Sequence, residues 1–277
     1  MLRSLLWSGF SLCLMGCSSL LYYPMRQQIY DPKKFKLDYE EVSFENKEHQ
    51  KIFAWWFPSR KIPAKGTFVF FHGNGENLST HFLSLGWLPD LGYNYFIFDY
   101  PGYGRSEGDP DPYSCLSSGM AALQWVHDNK DPKPLIVYGH SMGGITAMRA
   151  VIEKKNEIPI KAMIADGTFS SYRSLGRQKL SESWVTWLFQ PLAYVVLSDK
   201  WAPDVSKISP IPLIVLHGKK DPLVPFKNGE RIFAEAGEPK VFYPVEEGHH
   251  GDLFWVEGQK YQKIVLSEIE KEKGNTP

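Results

Sequence analysis

Short apolar runs recur along the chain, separated by polar stretches that carry glycine, proline, serine and asparagine. Strand-type runs fall at 39–44, 52–57, 67–71, 94–99, 134–138, 160–165, 212–216 and 240–245. They are rich in β-branched and aromatic residues and bounded by turn formers, the pattern of strands in a buried sheet. The first two predict an antiparallel pair. From 67 onward the strand runs alternate with helix-compatible stretches, which predicts an α/β fold with a mostly parallel sheet covered by helices on both faces. In open sheets of this kind, chemistry gathers beyond the strand C-termini. No internal repeat or low-complexity tract interrupts the alternation.

One strand run leads into chemistry. Leu135-Ile136-Val137-Tyr138 is followed by Gly139-His140-Ser141-Met142-Gly143, a G-x-S-x-G pattern, and then by a helix-compatible segment from Ile145 to Val151. A strand, a sharp turn and a helix in that order lift a serine hydroxyl above the sheet, and small flanking residues let strand and helix backbones approach. A serine is a weak nucleophile until a base takes its proton. An acid and a base must come from elsewhere in the chain. Asp221 sits in the loop after the run 212–216 and is the candidate acid. Asp166, at the end of the preceding strand run, is the alternative. After 240–245 comes Gly248-His249-His250-Gly251-Asp252-Leu253-Phe254. His250 is the preferred base and His249 the alternative. A metal reading of His249, His250 and Asp252 lacks H-E-x-x-H spacing and a cysteine pair, so no metal is expected.

Acyl transfer also needs donors aimed at the oxygen that becomes negative. The backbone N–H of Met142, directly after the serine, is one candidate. The other is the N–H of Asn74, in the loop His72-Gly73-Asn74-Gly75-Glu76-Asn77 after the strand run 67–71. A second glycine-rich block, Gly102 to Gly108, has G-x-G-x-x-x-G spacing. It differs from the dinucleotide fingerprint, so no nucleotide cofactor is expected. Asp99 and Arg105 are expected to fix this block near the active site.

Taken together, Phe70-Phe71-His72-Gly73-Asn74-Gly75, Asp99-Tyr100-Pro101-Gly102-Tyr103-Gly104-Arg105-Ser106-Glu107-Gly108, the Ser141 turn, the Asp221 loop and the His250 loop resemble the α/β-hydrolase-fold serine hydrolases. The similarity is to the branch with the Bem46-like and eukaryotic α/β-hydrolase-domain proteins, over residues 38 to 270. The resemblance implies ester, thioester or amide hydrolysis through a Ser141–Asp221–His250 triad and an acyl-enzyme, without a cofactor. It also implies a short helical cap at about 168–208, where Tyr172, Trp184, Trp187, Leu188, Phe189 and Tyr194 lie. The cap reads either as a lid that builds an apolar acyl pocket and touches the membrane or as an amphipathic helix packed on the core. Carboxylic esters or thioesters with an apolar acyl group are the expected substrates. Two other readings are a serine peptidase or amidase on short peptides, and a non-catalytic envelope scaffold of the same fold.

Bulk properties add location. Lys plus Arg and Asp plus Glu both total 31, so no basic field points to nucleic acid. The start of the chain has Arg3, an apolar run from Leu5 to Met15, and Leu14-Met15-Gly16-Cys17. This reads as a secretory signal ending in a lipoprotein cleavage site. Residues 1–16 are then the signal peptide, Cys17 the lipidated residue, 17–37 a tether and 38–277 the hydrolase domain. An uncleaved anchor helix through Tyr23 is the alternative, its apolar stretch only marginally long enough to span. The expected place is a bacterial cell envelope, lipid-anchored to membrane. Ser18 favours the outer membrane if the cell is Gram-negative. Cys115 remains and is expected to be a buried core thiol. The oligomeric state is left open.

Overall fold

The computed structural model describes residues 22–130 and 134–271. The expected signal peptide and Cys17 lie outside them. The strands are β1 (Tyr23–Pro24), β2 (Glu40–Glu45), β3 (Lys51–Phe57), β4 (Gly66–Phe71), β5 (Gly75–Glu76), β6 (Tyr93–Phe98), β7 (Leu135–His140), β8 (Ile160–Asp166), β9 (Leu213–Gly218) and β10 (Lys240–Val245). The helices are α1 (Leu78–His81), α2 (Leu88–Leu91), α3 (Pro112–Asn129), α4 (Met142–Lys154), α5 (Tyr172–Ser181), α6 (Leu192–Val196), α7 (Lys227–Glu235) and α8 (Lys260–Glu270). All eight strand runs read from the sequence form strands, displaced by two residues or fewer at either end.

Eight strands make one sheet in the order β10-β9-β8-β7-β4-β6-β3-β2. β3 runs antiparallel to both neighbours, and every other pairing is parallel. β4, β6, β7 and β9 are buried along their whole length. Their near-continuous apolar sequence fits a sheet covered on both faces. Alternate residues serve opposite layers. Val69, Phe71, Phe96, Phe98 and Val137 pack with α3 and α4, while Phe68, Phe70, Tyr95, Ile97 and Tyr138 pack with α1, α2 and α8. The edges are guarded by charge and proline: Glu40, Glu41 and Glu45 on β2, Lys240 and Pro244 on β10.

Local signals set the helix boundaries. α3 opens on a capping box between Asp111 and Ser114, with Pro112 in the first turn. Cys115 lies buried in this helix, as expected, and burial pushes its thiol pKa well up. α8 lays Tyr261, Val265 and Ile269 against the sheet.

The segment read as a tether is part of this packed body from Tyr22 onward. β1 pairs in parallel with β5. Tyr22 is buried, the Asn77 side chain donates to the carbonyls of Met25 and Gln27 (2.9 and 2.8 Å), and Ile29 N–H donates to Ser79 Oγ (2.9 Å). These contacts all engage the strap's own backbone. They leave no periodic side-chain pattern in the sequence.

Candidate active site

Ser141 stands between the end of β7 and the start of α4 with φ 54° and ψ −124°. This is left-handed territory that a side chain adopts only under constraint. The constraint is visible. Ser141 N–H donates to Asp166 O (2.9 Å), Gly144 N–H donates to Ser141 O (3.0 Å), and Thr168 Oγ1 donates to the same carbonyl (2.5 Å). A Cβ on Gly143 would fall against the carbonyl oxygens of Phe71 and His72, and one on Gly139 would meet the Gly144 Cα at 2.6 Å. The glycines around the serine are therefore close-approach positions, as their spacing suggested. Met142 follows at the N-terminus of α4, where the helix dipole favours negative charge.

The two strand-exit loops bring the candidate acid and base together. His250 Nδ1 lies 2.7 Å from Asp221 Oδ2. Asp221 Oδ1 accepts from the amides of Leu223 and Val224, both at 2.8 Å, and the side chain is fully buried. Burial alone would raise the Asp221 pKa. The hydrogen bond and charge of His250, with the two amides, outweigh it and hold the carboxyl below its usual range.

The loop places the two adjacent histidines differently. His249 N–H donates to Asp252 Oδ1 (2.8 Å), its ring is more than half exposed, and its Nδ1 lies 3.4 Å from Asp252. His250 points inward. Phe254 is buried against Tyr138 and Trp87, which seats the loop. Asp166, the alternative acid, is engaged elsewhere: it accepts from Tyr138 OH and lies 3.5 Å from His140 Nδ1. The His140 ring in turn rests on His250, with centroids 4.7 Å apart. Position inside the G-x-S-x-G pattern was the only sequence sign of His140.

The Asn74 loop is held from three sides. Tyr103 OH donates to Asn74 O (2.6 Å) and approaches Asn74 Oδ1 at 2.9 Å. Tyr100 OH donates to His72 O (3.1 Å), and Tyr23 N–H donates to Asn74 Oδ1 (3.1 Å). The tyrosines of the second glycine-rich block thus brace this loop. Asp99 does so as well, accepting from Leu78 N–H at 2.8 Å. Arg105 does not: it pairs with Glu41 at 2.8 Å, on the β2 edge, and covers Phe53.

Ser141, His250, Met142 and Asn74 line one cavity of about 750 Å³. Its opposite wall is the cap. Tyr172, Leu175, Gly176 and Lys179 face it from α5 at spacings of three, four and seven, joined by Phe169 and Leu197. Tyr23, Leu223 and Val224 complete the rim. His81 also borders the cavity. Burial, then the neighbouring His72, drive its pKa down to about 3, so it stays neutral. Among the described residues no group of acidic, histidine or cysteine side chains is placed to hold a metal ion.

Comparison with known proteins agrees with the fold. A family model described as alpha/beta hydrolase fold matches residues 66–184. Uncharacterized protein YfhR of Escherichia coli (strain K12) is 32% identical over 243 residues, covering 85% of this chain and 81% of that protein. Protein bem46 of Schizosaccharomyces pombe is 25% identical over 264 residues, covering 91% and 83%. Among solved structures, the Pyrococcus furiosus esterase Pf2001 superposes with a TM-score of 0.69 at 20% identity, covering 90% of this chain and 96% of that one.

Proposed function

Since the chain belongs to the alpha/beta hydrolase fold family, we propose that it is a serine hydrolase that cleaves carboxylic esters or thioesters of apolar acyl groups, anchored to an envelope membrane through a lipid on Cys17. The observation that carries this reading is the His250–Asp221 pair at 2.7 Å, which opens with the strained Ser141 onto one largely apolar cavity.

The chemistry follows from the atoms. Ser141 Oγ attacks the substrate carbonyl carbon while His250 Nε2 takes the hydroxyl proton. Asp221 fixes the proton on His250 Nδ1 and stabilises the imidazolium. The carbonyl oxygen becomes negative and is held by the N–H groups of Met142 and Asn74. Each such donor supplies roughly 2.7–4 kcal/mol where a side-chain counterpart has been removed. His250 then protonates the departing alcohol or thiol, leaving the acyl group on Ser141. Water attacks that acyl-enzyme with His250 again as base, releasing acid and free Ser141. No step calls for a cofactor. The apolar side chains of Phe169, Leu175 and Leu197 favour an acyl chain over a charged leaving group.

The test is labelling by a fluorophosphonate probe beside p-nitrophenyl esters of graded chain length. Native protein should label and turn over. Ser141→Ala and His250→Ala should do neither, and His249→Ala should stay within about twofold of native. Absence of labelling in folded native protein would overturn the reading in favour of a scaffold. Loss of turnover in His249→Ala with retention in His250→Ala would move the base to His249.

A further inference from the structure

The outer side of the cap carries an apolar surface that the catalytic cavity does not use. From Ser183 to Ser198 the sequence contains no Lys, Arg, His, Asp or Glu. Trp184 is 88% exposed and Leu188 75%, and Trp187, Leu192, Tyr194 and Val195 are also exposed. Single exposed apolar residues are ordinary, but a contiguous group of this kind marks a contact surface. Two tryptophans and a tyrosine suit a boundary between hydrocarbon and water. Glu182 and Asp199 border the stretch directly, with Lys179 paired to Glu182 at 3.1 Å and Lys200 beside Asp199, so charges of both signs flank the apolar surface.

The chain itself indicates what covers this surface. The described residues begin at Tyr22, and Tyr23 stands at the rim of the catalytic cavity, opposite α5 of the cap. Cys17 is only five residues before Tyr22. Five extended residues reach at most about 18 Å. Tyr23 is six residues from Cys17, so an anchor there holds this part of the rim within about 22 Å of the bilayer. α6 leads directly into Leu197, which lines the cavity, so the exposed cap surface adjoins the same opening.

We propose that residues 183–198 dock on the phospholipid bilayer that holds the anchor, so that the cavity opens toward the membrane and takes its acyl substrate from the lipid phase. The substrate part of this proposal rests on the serine-hydrolase reading and on Cys17 as the anchor site. The patch enters the headgroup region without spanning; none of the described helices is long and apolar enough to cross a membrane.

The experiment uses the full chain reconstituted in vesicles of phosphatidylcholine and phosphatidylglycerol. Lipids brominated on their acyl chains should quench tryptophan fluorescence, and Trp184→Phe with Trp187→Phe should remove much of that quenching. In a second variant, Trp184→Ser, Trp187→Ser and Leu188→Ser, turnover of water-soluble p-nitrophenyl butyrate should stay within about twofold of native, which also reports the fold. Turnover of a long-chain ester dispersed in the vesicles should fall at least tenfold. Quenching unaltered by the Trp→Phe changes would overturn the docking and assign the patch to another copy or to residues 1–16. Equal loss on both substrates, or on neither, would also overturn it. Quenching as expected, without any Ser141-dependent ester turnover, would uphold the docking and overturn the hydrolase reading.

Discussion

Replacing Asp221 with asparagine separates the carboxylate's electrical role from its shape. The Oδ1 position accepts two amide hydrogens, from Leu223 and Val224 at 2.8 Å each. The asparagine oxygen must take that position, because turning the amide would set its NH2 against two donors. Two buried amides would then lose their acceptor, at about 1–3 kcal/mol apiece. The NH2 therefore faces His250 Nδ1, now 2.7 Å from an acceptor. A donor there makes Nδ1 accept, and the ring proton moves to Nε2. An Nε2–H imidazole cannot take the Ser141 proton. The same exchange in a serine protease lowers kcat about 10⁴-fold, which corresponds to about 5.4 kcal/mol of barrier. The assay is kcat on a soluble p-nitrophenyl ester, beside the circular dichroism spectrum and urea midpoint of the same preparation. We expect a loss near four decades with the fold retained. A loss below tenfold in folded protein would refute the tautomer argument and return Asp166 to contention as the acid.

Other positions test the packing and the strap. Gly143→Ala sets a Cβ against the carbonyl oxygens of Phe71 and His72. It should destabilise by about 1–3 kcal/mol or more, seen as a lower urea midpoint; a native midpoint would contradict the close approach. His81 is held neutral with a folded pKa of about 3 against an ordinary value of 6.5. The unfolded chain alone binds its proton between those values, so this contribution is complete above pH 6.5 and shrinks as pH falls toward 3. From pH 7 to 5 the loss is about 2 kcal/mol; His81→Asn should flatten the urea-stability curve there, and parallel curves would oppose the assignment. Asn77→Ala removes both side-chain bonds to the strap, to Met25 O and Gln27 O, together with the cap bond from Ser79 N–H at the start of α1. It should cost about 1–3 kcal/mol and lower kcat more than it raises KM; unchanged kinetics would separate the strap from the Asn74 loop.

Much of this was legible because buried parallel strands are continuous apolar runs that punctuation residues delimit. The Ser141 turn was legible because close backbone approach demands glycine. Sequence favoured His250 over His249 only by resemblance, since both sit in the same loop; the structure sets the His250 ring against Asp221 and the His249 ring beside Asp252. The strap escaped for a different reason: β1 and β5 are two residues each and pair through backbone, which side-chain periodicity does not record. Arg105 sat in a block close to the site in sequence, yet its long side chain reaches the sheet edge instead.

Segments held by few backbone pairings open before the body of a domain. The two-residue strand β1 carries Tyr23, whose amide bonds to Asn74, so a lightly paired strap is stitched to the loop at the cavity rim. Warming should melt that stitch first. Activity will then fade over a range in which the sheet remains intact, and the temperature of half-inactivation will lie below the calorimetric midpoint of unfolding.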